Sequence, residues 1–130
     1  MTYEISILIG ATILGLVHLV LSPALSLTTP GYVKWNAGPR DVPFEKPVVA
    51  QRLDRAFNNF KESFVFFAVA VIAIALAHRS TDFSVWGSTL YLVARIVYIP
   101  LYAFGVTGLR SLAWVASLIG IGLCLISLFI

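Results

Sequence analysis

Four separate stretches of this chain are each long and apolar enough to cross a lipid bilayer, and no soluble fold of 130 residues can hide that much apolar surface. The chain is 59% hydrophobic and only 12% charged, whereas a soluble domain is roughly 45–50% apolar and about 25% charged. Lipid is the solvent that such an excess can face. Inside lipid, an α-helix satisfies every backbone N–H and C=O within its own segment. The apolar runs therefore predict an all-α fold, an integral membrane four-helix bundle forming one domain over residues 1–130. The helices are expected at about 5–27, 48–77, 83–104 and 111–130. Between the first two lies the one long connection, Thr28 to about Val49, whose Pro30-Gly31, Pro39, Pro43 and Pro47 read as a loop.

The first stretch lacks a basic leader, carries Glu4, and exceeds the roughly 7–15 apolar residues of a signal-peptide core, so it reads as a retained helix. Cys124 is the single cysteine and sits inside the fourth apolar run, where it reads as a small hydrophobe. His18 and His78 fall on opposite sides of the membrane, and no metal site is expected. Six of the nine Lys and Arg residues, from Lys34 to Lys61, lie in or just after the first connection, and Arg110 lies in the third. Only Arg79 belongs to the second connection. By the positive-inside rule, both termini are expected outside the cytoplasm, which means a multi-pass protein of the cell inner membrane if the source is bacterial. No basic stretch interleaved with aromatics points to nucleic acid.

The charges inside the apolar segments carry the functional information. Arg52, Arg55, Asn59 and Glu62 stand at offsets of 0, 3, 7 and 10 on the second helix. At about 100° per residue they share an arc of roughly 80°. Only the 15 residues Ser63 to Ala77 separate Glu62 from the far side, too few to span the bilayer alone. Glu62 must then lie at the hydrocarbon edge, where an unpaired carboxylate is costly. On the third helix Arg95, Tyr98 and Tyr102 share a similar arc of about 60°, and Arg95 is the lone charge in its apolar span. Counted from the outer helix ends, Arg95 lies roughly 18 Å deep and Glu62 roughly 22 Å. Those depths predict that the two form an ion pair. A structural ion pair would explain two residues, but it leaves a surplus of arginines that suits a small ligand with more than one acidic group.

The string Gln51-Arg52-x-x-Arg55-Ala56-x-x-Asn59-x-x-Glu62, with Arg95-x-x-Tyr98-x-x-x-Tyr102 and then Arg110-Ser111, resembles the MAPEG family. These are the membrane-associated proteins of eicosanoid and glutathione metabolism, and the resemblance spans essentially the whole chain, in the manner of a bacterial-type member. It implies a homotrimer that binds glutathione as co-substrate between subunits at the cytoplasmic side. Carried over by position, Arg52, Arg55, Asn59, Glu62, Arg95, Tyr98, Tyr102 and Ser111 would hold glutathione, and Arg110 would stabilise its thiolate. A hydrophobic small-molecule substrate would arrive through the membrane lipid, with Trp114 or Phe104 as candidates to line its path. The chain departs from many relatives in having Gln51 in place of an acidic residue, Asn58 in place of an arginine, and no proline soon after Glu62.

Three functions follow from these residues. The first is a glutathione-dependent transferase or peroxidase acting on lipophilic electrophiles or lipid hydroperoxides. The second is a non-catalytic lipid- or ligand-binding scaffold of the same fold, since fold alone does not decide activity. The third, a transporter or channel subunit, is disfavoured because the charges cluster near one face instead of lining a full crossing.

Overall fold

The computed structural model describes all residues, 1–130. Four long helices are arranged as a bundle: α1 Tyr3–Ser26, α3 Val48–Ala77, α4 Asp82–Ala103 and α5 Thr107–Ser127. Each is long and apolar enough to cross a membrane. A fifth element, α2, is a short helix at Tyr32–Ala37 inside the long connection. Sequence reading treats that segment as a loop, because its Gly and Pro residues mask six residues that can still wind. Gly31, in the left-handed conformation at φ 85°, reverses the chain into it. Trp35 Nε1 donates to the Val42 carbonyl at 2.5 Å, and Tyr32, Trp35 and Phe44 pack ring against ring. The connection is then tied to the start of α3 by the Lys46–Asp54 ion pair at 2.7 Å and by Gln51 Nε2 donating to the Lys46 carbonyl.

Helix limits follow local chemistry. Thr2 caps α1, and Thr81 and Ser84 form a reciprocal capping box at the start of α4. His78 ends α3 in the left-handed conformation at φ 53°. At the end of α4, Gly105 at φ 72° is the turning residue of a Schellman motif. The Val106 N–H donates back to the Leu101 carbonyl and the Gly105 N–H to that of Tyr102. That reversal is so tight that α5 starts at Thr107, four residues before the expected position. Arg110 and Ser111 therefore lie in the first turns of a helix and not in a connection.

Only 28 of the 130 residues are buried, and large apolar side chains cover the outside of every long helix. The hydrophobic surface is thus directed outward, as lipid requires. Inside, small residues set how closely the helices approach. A methyl group built on Gly87 would lie 2.6 Å from the Gly120 carbonyl oxygen, so α4 and α5 touch backbone to backbone. Gly15 on α1 gives the same room to the ring of Phe60 on α3. One core cluster, built on Phe67, Val71, Ile74, Tyr91 and Cys124, fills the far half of the bundle. A smaller one, Ala56, Tyr98 and Ala113, lies directly behind the polar stripes.

Candidate functional site

The two polar stripes do converge, but their pairing differs from the expectation. Arg95 is 1% exposed. Its Nη2 donates to Asn59 Oδ1 at 2.9 Å, while its Nε and Nη1 have no partner. Glu62 is exposed and makes no ion pair, Lys46–Asp54 being the only one in the chain. The reason is rotational. Asn59 lies near the centre of the polar arc of α3 and points at α4. Glu62 lies at its edge and turns toward α5, beside Trp114 and Leu118.

Arg95 is instead bracketed by aromatic faces. Its guanidinium carbon stands 4.7 Å from the Tyr98 ring centroid and 5.6 Å from that of Phe60. Ring faces are weakly negative and partly offset a desolvated cation. Tyr91 and Ser63 flank this arrangement without having been singled out from sequence. The Tyr91 hydroxyl, one turn before Arg95, meets Ser63 Oγ at 3.1 Å. The signal for it was available: Ser84, Ser88, Tyr91 and Arg95 recur at helical spacing and extend the polar face of α4 toward the opposite end. His18 is buried against the rings of Phe57 and Phe60.

Tyr102 continues the row, its ring 5.6 Å from that of Tyr98. Arg110 stands 4.5 Å over Tyr102 and Arg55 stands 5.9 Å from the same ring. Asn59, Tyr98, Tyr102, Arg110, Ser111 and Trp114 line a cavity of about 210 Å³. The Ser111 hydroxyl donates to the Thr107 carbonyl at 3.2 Å. A second cavity of about 190 Å³ shares Asn59 and Trp114 and continues past Glu62 and Ser63 to Phe66 and Leu118. The groove between α3 and α5 is therefore polar at the Arg110 end and apolar toward the bundle centre, where Phe66 is 67% exposed. Trp114 stands at the junction, whereas Phe104 is 81% exposed and lines neither cavity.

Three of the expected residues are not on the cavity wall. Arg95 reaches it only through Asn59 and Tyr98. Arg55, exposed, borders the neighbouring surface cleft with Gln51 and Asp54. Arg52 turns to the end of α4, where its Nη1 donates to the Ala103 carbonyl at 3.2 Å. The arrangement offers cations and hydroxyls to a ligand with several acceptor groups, with an apolar path alongside.

The sequence profile of the MAPEG family matches residues 6–130, nearly the whole chain. The chain belongs to the MAPEG family. No curated protein and no solved structure matches it closely enough to count as a relative. Membership together with four apolar helices makes this MAPEG chain an integral, multi-pass membrane protein in contact with lipid. It also associates the chain with glutathione-related transfer or eicosanoid metabolism. The polar stripes of α3 and α4 are the part of the MAPEG chain in which such chemistry can be housed.

Proposed function

We propose that this protein is a membrane-bound glutathione transferase or peroxidase acting on lipophilic electrophiles or lipid hydroperoxides. The observation that carries the reading is the charge balance around Tyr102. Arg110 and Arg55 flank one ring, Arg95 stands behind Tyr98, and none of the three is paired with a carboxylate. A surplus of guanidinium groups, of which Arg95 is buried, favours an anionic ligand. Glutathione has two carboxylates, one ammonium and a thiol, and members of this family generally use it. Arg55 suits a carboxylate, and the unpaired Glu62 suits the ammonium. Asn59, Tyr98, Tyr102 and Ser111 supply hydrogen bonds along the wall.

Arg110 is the residue assigned to the sulfur. A guanidinium beside a thiol favours the thiolate, which is the nucleophile. Thiolate attack on an electrophilic carbon forms the C–S bond and expels the leaving group. With a hydroperoxide, attack on the distal oxygen breaks the O–O bond, forming the glutathione sulfenic acid and releasing the alcohol, and a second glutathione then forms the disulfide with loss of water. The apolar end of the groove, from Trp114 to Phe66 and Leu118, opens toward lipid and suits a hydrophobic second substrate.

A cavity of about 210 Å³ falls below the roughly 300–1,000 Å³ of ligand pockets. That supports a site completed by a neighbouring subunit, and the general habit of the family makes the assembly a homotrimer. The clustering of basic residues supports a cytoplasmic site with both termini on the opposite side.

Equilibrium binding of glutathione to purified protein, followed by turnover with a generic electrophile, tests the reading. Binding that is lost in Arg55→Ala, and turnover that falls in Arg110→Ala with binding retained, are the expected results. Absence of binding at millimolar glutathione overturns it. Binding without turnover of any electrophile or hydroperoxide replaces it with the non-catalytic scaffold.

A further inference from the structure

The sequence places Arg52 on the polar arc with Arg55 and Asn59, and the family resemblance implies a ligand-holding role for it. The fold gives it other contacts. The Schellman motif at the end of α4 uses the carbonyls of Leu101 and Tyr102, and the Phe104 N–H takes that of Pro100. The Ala103 carbonyl is left to a side chain 51 positions away, and Arg52 Nη1 takes it at 3.2 Å. The same guanidinium lies flat beneath Gly105. A methyl group built on that glycine would lie 3.3 Å from Arg52 Cζ and Nη2 and 3.4 Å from Nη1. Arg52 thus grips the turn by one hydrogen bond and by one face of its plane. It lines neither cavity at Asn59.

What the turn carries gives this contact its meaning. Tyr102 lies one residue before Ala103, and Arg110 lies in the first turns of the helix that Gly105 and Val106 launch. The 4.5 Å stacking of Arg110 on Tyr102 is therefore a contact across this one reversal. Any change in its pitch moves the two partners against each other. A planar guanidinium suits the task, because it can donate in plane to a helix-end carbonyl while presenting its face to a backbone without a side chain.

We propose that Arg52 is a positioning residue, which clamps the α4–α5 turn and thereby sets the Arg110 guanidinium over Tyr102 instead of holding the ligand itself. The consequence for turnover rests on the function proposed above, whereas the clamp does not.

The test uses the full chain in lipid nanodiscs with Arg52→Ala, Arg52→Lys and Gly105→Ala. Amide exchange across residues 104–110 should rise in all three. An ammonium lacks the planar fork, and a methyl group at φ 72° displaces the guanidinium. Arg52→Lys keeps the charge and serves where the alanine variant does not fold. At saturating glutathione, turnover should fall about 10²-fold, the scale for a reacting group misplaced by about 1 Å. Glutathione affinity should change less than about threefold, and Arg52→Ala should add no further loss in an Arg110→Ala background.

Unchanged exchange across the turn in Arg52→Ala overturns the clamp. So does an affinity loss as large as that of Arg55→Ala with full turnover at saturation, which would make Arg52 a ligand-holding residue. Failure of the wild-type protein to bind glutathione overturns the proposed function, and the exchange measurement still decides the clamp.

Discussion

Arg95 is joined to Asn59 by a single 2.9 Å hydrogen bond, and no carboxylate accompanies it. A buried arginine with one neutral acceptor and two unpartnered nitrogen donors is an unusual arrangement, since removing a charge from water is expensive. It keeps positive potential behind Asn59 and Tyr98 that an ion pair with Glu62 would have cancelled. It also leaves Glu62 free on the groove. The pairing that the sequence favours would have cancelled one charge of the surplus and left Arg55 and Arg110 at Tyr102.

Substitutions at Asn59 separate these two effects. Asn59→Ala removes the only hydrogen-bond partner of Arg95 and should destabilise the protein by about 1–3 kcal/mol. Asn59→Asp supplies a charged partner, so its melting temperature should not fall. Its glutathione affinity should nevertheless drop, because one charge of the surplus is cancelled. Thermal unfolding and calorimetric titration on the same two variants check both halves.

At Glu62 the effects should be reversed. The side chain is exposed and unpaired within the chain, so Glu62→Gln should shift stability by no more than about 0.5 kcal/mol. If Glu62 accepts the ammonium of glutathione, affinity should fall about tenfold, or ~1.4 kcal/mol. Titration with glutathione and with a des-amino analogue reads this directly: the variant should lose its preference between them.

Two glycines in α5 should respond with opposite signs. A methyl group at Gly120 would lie 2.6 Å from the Gly87 carbonyl oxygen, whereas one at Gly122 meets nothing within 4 Å. Gly120→Ala should destabilise the α4–α5 contact by about 1–3 kcal/mol. Gly122→Ala should be neutral or stabilising by up to about 1 kcal/mol through helix propensity. Unfolding in mild detergent by graded denaturant compares them.

His78 closes α3 with a positive φ of 53°, a conformation that suits glycine. Relief of that strain should make His78→Gly more stable by about 1 kcal/mol. A β-branched residue such as valine at the same position should lower the melting temperature.

The sequence alone determined the four crossings, the polar arcs around Asn59 and Tyr98 on two of them, and membership of the family. These are local quantities: hydrophobic length is read along the chain, and angular position follows from about 100° per residue. What lay beyond it was which side chain partners which across two helices. Arg95 could have met Asn59 or Glu62, one turn apart on α3, and depth counting cannot separate them. The choice depends on the rotation and slide of α3 against α4, which side-chain packing such as the stacking of Phe67 on Tyr91 helps to set. Arg52 shares the arc of Arg55 by periodicity, yet only the return of α4 brings the Ala103 carbonyl within its reach. The start of α5 at Thr107 depended on the left-handed Gly105, and α2 on an aromatic cluster that forms only when the connection folds back. Angular position is written in one helix, whereas a partner is chosen by the packing of several, and that choice belonged to the tertiary structure.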